Sequence, residues 1–121
     1  MHVYLHVPFC PFICHFCPLY KMKLGKDELE VKKAFVRAMI EEIELYGRSR
    51  AMAGTRFDAI YFGGGTPTEL TPEQLGEILD ALRRNFFIPK DCEITLEGVA
   101  KQMIQSEYVE RALAMGFNRF S

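Results

Sequence analysis

No stretch of this 121-residue sequence is strongly basic, and none is both long and apolar. Its 15 basic residues are balanced by 16 acidic ones, without a basic stripe that could follow a phosphate backbone, which argues against nucleic acid as a partner. The first residues do not have the basic and apolar segments of a secretory signal, and no segment reaches the roughly 18 apolar residues of a membrane span. We therefore expect a cytoplasmic protein with no membrane span.

The sequence also does not have the cysteine layout of a disulfide framework. Cys10, Cys14 and Cys17 lie close together, whereas Cys92 stands alone far downstream. In a reducing cytosol, a cluster of thiols is more often a metal site than a set of disulfides. We expect Cys92 to be a structural thiol.

The C-x-x-x-C-x-x-C spacing places three thiols on one loop. Electron-transfer iron–sulfur clusters take four cysteines, so a cluster with three protein ligands leaves one iron open for a cofactor or substrate. The alternative is a structural zinc site completed by His6, His15 or Cys92. An apolar collar between the ligands favours iron–sulfur, because cluster potentials depend on solvent exclusion. The collar consists of Pro11, Phe12, Ile13 and Phe16.

Strand and helix patterns alternate along the chain. We predict strands over 2–7, 57–62 and 93–97, a fourth beginning at 117, and helices over 27–47, 72–85 and about 108–115. Such a βα series implies a parallel sheet with an α/β fold, here about half of a barrel. The predicted domain, 1–121, would then be the truncated amino-terminal part of a larger one, and we expect this chain alone not to catalyse turnover.

Local signals specify the helices. Thr71, Pro72 and Gln74 form a capping box with proline at the first helical position, and Gly116 predicts a left-handed end to the last helix. The predicted core stripe of the first helix consists of Leu29, Ala34, Phe35, Ala38, Met39, Ile43 and Tyr46.

The run GGGTPT, residues 63–68, directly follows the second predicted strand. Consecutive glycines allow a ligand to approach the main chain, although a tight turn without a ligand is the alternative. A phosphate loop is disfavoured because the G-K-[ST] ending is missing. Since the carboxyl ends of parallel strands lie side by side, the cysteine loop, the glycines and Glu97 should face one pocket.

Taken together, the segments YLHVPFCPFICHFCPLY, GGGTPT and ITLEG resemble the radical S-adenosylmethionine (SAM) enzymes related to oxygen-independent coproporphyrinogen III oxidase. The resemblance covers essentially the whole chain. It implies a partial (β/α)6 barrel and a [4Fe–4S] cluster on Cys10, Cys14 and Cys17, with SAM chelating the fourth iron. Reductive cleavage of SAM would then yield a 5′-deoxyadenosyl radical, with the electron supplied by a flavodoxin- or ferredoxin-like donor.

The same resemblance implies contacts between this chain and SAM. The glycine run would meet the SAM amino group, Phe16 would lie near the adenine, Glu97 would hydrogen-bond SAM, and Tyr4 would stand behind the cluster. Two alternatives remain open. Tyr4 and Phe16 would be core aromatics in the first, and Glu97 would be a solvated charge in the second. The implied cofactor-binding residues are Tyr4, Phe16, Gly63, Gly64, Gly65, Thr66 and Glu97.

Members of this family act on tetrapyrroles by porphyrinogen oxidation, by haem ring opening or by radical methylation, and some are haem chaperones without oxidase activity. The residues CPLYK after the last cysteine are more similar to the methyltransferase and anaerobilin synthase branches. The resemblance thus implies a radical SAM oxidoreductase or methyltransferase with a tetrapyrrole substrate. A haem-binding chaperone is the alternative, and a structural zinc module is a remote one.

Overall fold

The computed structural model describes all 121 residues. The four strands of its main sheet alternate along the chain with helices, as the sequence pattern predicts. Its elements are β1 (His2–Val7), β2 (Phe9–Cys10), β3 (Met22–Lys23), α1 (Glu28–Arg48), β4 (Ala59–Gly64), a 3-10 helix (Pro67–Glu69), α2 (Pro72–Asn85), β5 (Glu93–Leu96), α3 (Ala100–Met103), α4 (Ser106–Met115) and β6 (Arg119–Phe120).

Four strands form a parallel sheet in the order β1-β4-β5-β6. The register aligns Leu5 with Phe62 and Phe62 with Leu96, and these three side chains are buried. In the adjacent register position, Tyr4 is paired with Tyr61. Because successive residues of a strand point to opposite faces, one face of the sheet packs on the helices and the other carries the candidate site.

Helix α2 follows its sequence signals. The Thr71 hydroxyl accepts the Gln74 N–H at 3.2 Å, and the Gln74 side chain accepts the Thr71 N–H at 3.0 Å, which completes the capping box. Pro72 occupies the first turn, where its missing N–H leaves no hydrogen bond unmade. The core of α2 is fully buried and consists of Leu75, Ile78, Leu79 and Leu82.

The predicted core stripe of α1 is only partly right. The buried residues of α1 are Lys32, Val36 and Ile43, whereas Leu29 is 73% exposed and Tyr46 is 54% exposed. Strand β1 pairs only with β4, so the side of α1 that faces the outer edge of β1 has no neighbouring strand to pack against. That side instead lines an apolar groove with a volume of about 530 Å³, together with residues of β1.

Helix α4 ends as predicted at Gly116, which has φ +111° and whose N–H bonds the carbonyl of Leu113. The short helix α3, the 3-10 helix and the β2–β3 pair are additional to the predicted elements. None of the helices combines the length and the apolar character needed to cross a bilayer.

Candidate functional site

The cysteine loop is closed at its base by main-chain pairing. Phe9 pairs with Met22 and Cys10 with Lys23, and the Met22 N–H also bonds the Pro8 carbonyl at 2.7 Å. These bonds join the two ends of the loop directly beyond β1. The loop is therefore attached to the carboxyl end of the edge strand, where the topology of a parallel sheet places a site.

Within the loop, Cys14 and Cys17 are joined by a tight turn. The Cys17 N–H donates to the Cys14 carbonyl at 3.2 Å. The Lys21 ammonium donates to the same Cys14 carbonyl at 3.0 Å and to the Cys17 carbonyl at 2.7 Å. One side chain thus bonds the main chain of two of the three predicted ligands.

The three thiols differ in their exposure. Cys10 is buried, Cys17 is half-buried and Cys14 is exposed. No set of three cysteine, histidine or carboxylate side chains lies close enough together here to hold a metal ion. The donor set nevertheless fits an iron–sulfur cluster chemically, because thiolates are its usual ligands and three of them stand on one short loop.

The glycine run lies directly against the cysteine loop. A Cβ on Gly65 would stand 2.7 Å from Cys10 Sγ and 2.7 Å from the Phe9 carbonyl oxygen. The hydroxyl of Thr66, itself buried, makes a long contact of 4.0 Å with Cys10 Sγ. The predicted juxtaposition of the cysteine loop and the GGGTPT segment is therefore present, and Cys10 is the point of contact.

Gly63 and Gly64 are also crowded by neighbouring protein atoms. A Cβ on Gly63 would lie 2.8 Å from the Tyr4 ring and 2.9 Å from a Glu97 carboxylate oxygen. Gly64 has φ +120°, and its Cβ would lie 2.6 Å from the Val7 carbonyl oxygen. These glycines are required by contacts within the protein, so an effect of substituting them is not by itself evidence for a ligand.

Glu97 reaches back across the sheet to the glycine run. Its Oε2 accepts the Gly64 N–H at 3.3 Å. Burial, followed by the negative charge of Glu97, raises the pKa of Tyr4 above its ordinary value. The Tyr4 ring stacks on Tyr61 with centroids 5.9 Å apart, and half of Tyr4 remains exposed. Tyr4 and Glu97 thus stand on the same face as the glycines.

His6 connects this face to the cysteine loop. Its Nε2 lies 2.7 Å from the Tyr20 carbonyl oxygen, and since a carbonyl only accepts, Nε2 carries the proton and donates. Its Nδ1 lies 3.3 Å from the Tyr4 hydroxyl. With the ring neutral, Nδ1 accepts from that hydroxyl.

The expectation of a shielding apolar collar is not met in this chain. Phe12 is 78% exposed and Phe16 is 90% exposed, because the loop lies beyond the edge strand with no second layer above it. His15 is also exposed. Cys92 is buried with a raised pKa, chiefly because of burial, as suits a structural thiol.

A sizeable cavity lies elsewhere. It is the apolar groove between α1 and the outer edge of β1, which includes Tyr4, His6 and Tyr20 but no thiol and no glycine. We locate the candidate site at the cysteine loop and glycine run instead, because the three clustered thiols, the Glu97 carboxylate and the glycine main chain lie there. The groove adjoins that site through the side chains that both share.

Two contributors to the site were missed by sequence reasoning. The stacking of Tyr61 on Tyr4 depends on strand register, which periodicity alone does not reveal. The contacts of Lys21 depend on the path of an irregular loop. The only sequence signal for these contacts was the position of Lys21, four residues after the last clustered cysteine.

Comparison with characterised proteins identifies relatives over nearly the whole chain. The chain is 38% identical over 119 residues to the anaerobilin synthase of Escherichia coli O157:H7. It is 33% identical over 121 residues to the oxygen-independent coproporphyrinogen III oxidase of Escherichia coli K12. The chain spans only about a quarter of these relatives, 26% and 25% of their lengths. No protein-family model matches the chain.

A solved structure agrees with these relatives. The fold matches that of coproporphyrinogen III oxidase from Escherichia coli, described as a radical SAM enzyme, with a TM-score of 0.82 and 32% identity. The match covers 97% of this chain and 26% of that one. By sequence and fold together, this chain corresponds to a segment of the radical SAM enzymes related to oxygen-independent coproporphyrinogen III oxidase, which confirms the resemblance drawn from its motifs.

Proposed function

We propose that this chain is the part of a radical SAM enzyme that binds a [4Fe–4S] cluster through Cys10, Cys14 and Cys17 and holds SAM beside it. The observation that carries the proposal is the position of three thiols on one short loop beyond β1, with Cys10 Sγ lying against the glycine run, where a Cβ on Gly65 would stand only 2.7 Å away. This arrangement places the glycine run directly beside a thiol ligand. When bound, the cluster supplies the electron that cleaves SAM reductively to a 5′-deoxyadenosyl radical.

The residues around the glycine run have the chemistry that SAM requires. SAM carries a cationic amino group and a sulfonium, and the Glu97 carboxylate at the end of the sheet attracts both. Gly63, Gly64 and Thr66 offer main-chain groups beside it. The ring of Phe16, at 90% exposure, is unpacked and free to stack on the adenine.

Tyr4 and His6 have a positioning role in this proposal. The His6 ring joins the Tyr20 carbonyl to the Tyr4 hydroxyl, so it connects the cysteine loop to the strand behind it. The Tyr4 hydroxyl is protonated at neutral pH, as any tyrosine with a pKa of 10.0 or above is, and it can donate a hydrogen bond. These contacts fix the loop relative to the glycine run.

A tetrapyrrole is the proposed substrate class. Relatives named anaerobilin synthase and oxygen-independent coproporphyrinogen III oxidase support it, since a bilin and a porphyrinogen are both tetrapyrroles. Porphyrinogen oxidation, haem ring opening and radical methylation are the candidate reactions, and a flavodoxin- or ferredoxin-like protein is the proposed electron donor. A haem chaperone of the same family is the competing function.

Anaerobic reconstitution with iron and sulfide tests the cluster assignment. We expect about four irons per chain, as a [4Fe–4S] cluster contains. Replacing Cys10, Cys14 or Cys17 by Ala should abolish uptake, whereas Cys92→Ala is the matched control and should retain it. Stoichiometric zinc without iron uptake, or equal loss in the Cys92 variant, would contradict the proposal.

A second experiment separates the catalyst from the chaperone. Deoxyadenosine formation is measured with coproporphyrinogen III and with haem as candidate substrates, in a reduced and SAM-loaded full-length protein that carries this segment, because this chain alone is not expected to catalyse turnover. Formation that depends on the tetrapyrrole supports the enzyme. Haem binding with no deoxyadenosine above the substrate-free rate supports the chaperone.

A further inference from the structure

Lys21 occupies an unusual electrostatic position. The first 26 residues contain no aspartate or glutamate, and they hold all three histidines of the chain. Lys21 forms no ion pair with a carboxylate from any other part of the chain. Its ammonium is bonded instead to two main-chain carbonyls, those of Cys14 and Cys17, at 3.0 and 2.7 Å.

These two hydrogen bonds act on the turn that carries two of the three clustered thiols. The turn itself is closed by one main-chain bond of 3.2 Å from the Cys17 N–H to the Cys14 carbonyl. An ammonium that bridges the two carbonyls holds them on one side of the turn. Hydrogen bonds to a charged group are stronger than neutral ones, so this lysine contributes more than the turn's own bond.

From these contacts we propose that Lys21 is a positioning residue for the metal centre. It fixes the Cys14–Cys17 turn before metal binds, and it presents an uncompensated positive charge to the cluster. The electrostatic effect on the cluster rests on the proposed function. The fixing of the Cys14–Cys17 turn concerns the metal-free chain and does not depend on that function.

The charge has a consequence for cluster reduction. Accepting one electron makes a cluster with three thiolate ligands one unit more negative, and a nearby cation favours the more negative state. Because Lys21 is not neutralised by a carboxylate and is bonded to the main chain of two ligands, its charge acts on the cluster at short range, and we expect it to raise the reduction potential. An exposed lysine farther along the chain acts through water and is largely screened.

Three variants separate geometry from charge. Lys21→Met removes both the hydrogen bonds and the charge, while Lys21→Arg retains a cation that can donate to the two carbonyls. Lys26→Met is the matched control, because it removes one exposed lysine from the same acid-free segment. The Lys26 side chain makes no hydrogen bond or ion pair with the cysteine loop.

The first measurement uses the metal-free, reduced chain. Hydrogen exchange at the Cys17 N–H is followed by NMR, and we expect it to be about three- to tenfold faster in Lys21→Met, as the loss of one or two hydrogen bonds implies. Lys21→Arg and Lys26→Met should exchange within about twofold of the parent. An unchanged rate in Lys21→Met would overturn the positioning role, whether or not the chain binds a cluster.

The second measurement uses the reconstituted chain. Redox titration monitored by electron paramagnetic resonance should give a more negative midpoint potential for Lys21→Met, with Lys21→Arg restored toward the parent and Lys26→Met unchanged. Equal potentials in the parent and Lys21→Met would overturn the electrostatic role. Absence of iron in the parent would contradict the proposed function and, with it, the electrostatic half of this inference, while the exchange result still decides the positioning half.

Discussion

The Lys32 ammonium lies 3.6 Å from Glu69 Oε2, and both side chains are nearly buried, at 11% and 13% exposure. The pair joins α1 to the 3-10 helix that follows the glycine run. Glu69 also accepts a hydrogen bond of 3.4 Å from the Gln102 side chain on α3. Two helices thus hold the segment that lies against Cys10.

Replacing Lys32 by Met should destabilise the chain by about 2–4 kcal/mol, because the change leaves a nearly buried carboxylate without its cation. The measurement is the free energy of unfolding in urea at neutral pH. Lys33→Met is the control, since the pair of Lys33 with Glu30 is 64% and 78% exposed. We expect the control to change stability by less than about 1 kcal/mol. Equal losses in the two variants would show that burial of the pair is unimportant.

Gly64→Ala should destabilise the chain by at least about 3 kcal/mol without any cofactor. Alanine is strained at the φ of +120° that Gly64 adopts, and its methyl group would meet the Val7 carbonyl. Gly54→Ala is the matched control. Gly54 also has positive φ, +73°, but nothing lies within 4 Å of its Cβ position. Its cost should be about 1–2 kcal/mol, that of the left-handed backbone alone. Urea unfolding of both variants tests the difference, and similar costs would contradict the crowding.

The stability of the chain should fall as pH rises above the ordinary tyrosine range, in part because of Tyr108. Its hydroxyl donates to the Leu70 carbonyl at 2.8 Å, and burial raises its pKa well above the ordinary 10.0. The unfolded tyrosine ionises first, so the stabilisation is complete below pH 10.0 and declines as pH rises toward the folded-state value.

Tyr108→Phe tests this pH dependence. We expect a loss of about 1–2 kcal/mol at neutral pH, from the Leu70 carbonyl left without its donor. The difference from the parent should shrink above about pH 10, where the parent loses its ionisation-linked stability. Tyr46→Phe is the control, because Tyr46 is 54% exposed and its substitution should change stability little. A constant difference for Tyr108→Phe would contradict the linkage.

Alkylation should distinguish Cys92 from the loop thiols. Cys92 is 2% exposed and its pKa is raised by burial, so little of the reactive thiolate is present and the reagent cannot reach it. In the metal-free folded chain, iodoacetamide at about pH 8 should modify Cys14 and leave Cys92 intact, as measured by peptide mass spectrometry. Cys92 should react in guanidinium. Modification of Cys92 in the folded chain at the rate of Cys14 would contradict its burial.

Local chemistry was predictable from the sequence, and long-range packing was not. The start of α2 depends on Thr71, Pro72 and Gln74, which lie within four residues of one another, and it was predicted correctly. The exposure of Tyr46 depends on β1 being an edge strand, a property of the whole sheet that no helical period contains.

The candidate site divides in the same way. That the cysteine loop and the glycine run meet follows from the rule that parallel strands end side by side, so sequence reasoning could predict it. That Gly65 meets Cys10, and that Gly64 meets Val7, depends on a register specified by side chains on both faces. The short β2–β3 pairing has too few residues to show any periodicity.

The crowding of the glycine run also limits what this motif can reveal about a protein that carries it. Gly64 and Gly65 are needed so that β4 can turn against β1 and the cysteine loop, whatever is bound there. A descendant that had lost radical chemistry would still unfold without them and would be selected to keep them. The glycine run is therefore a marker of ancestry. Evidence of activity has to come from side chains whose replacement does not destabilise the fold.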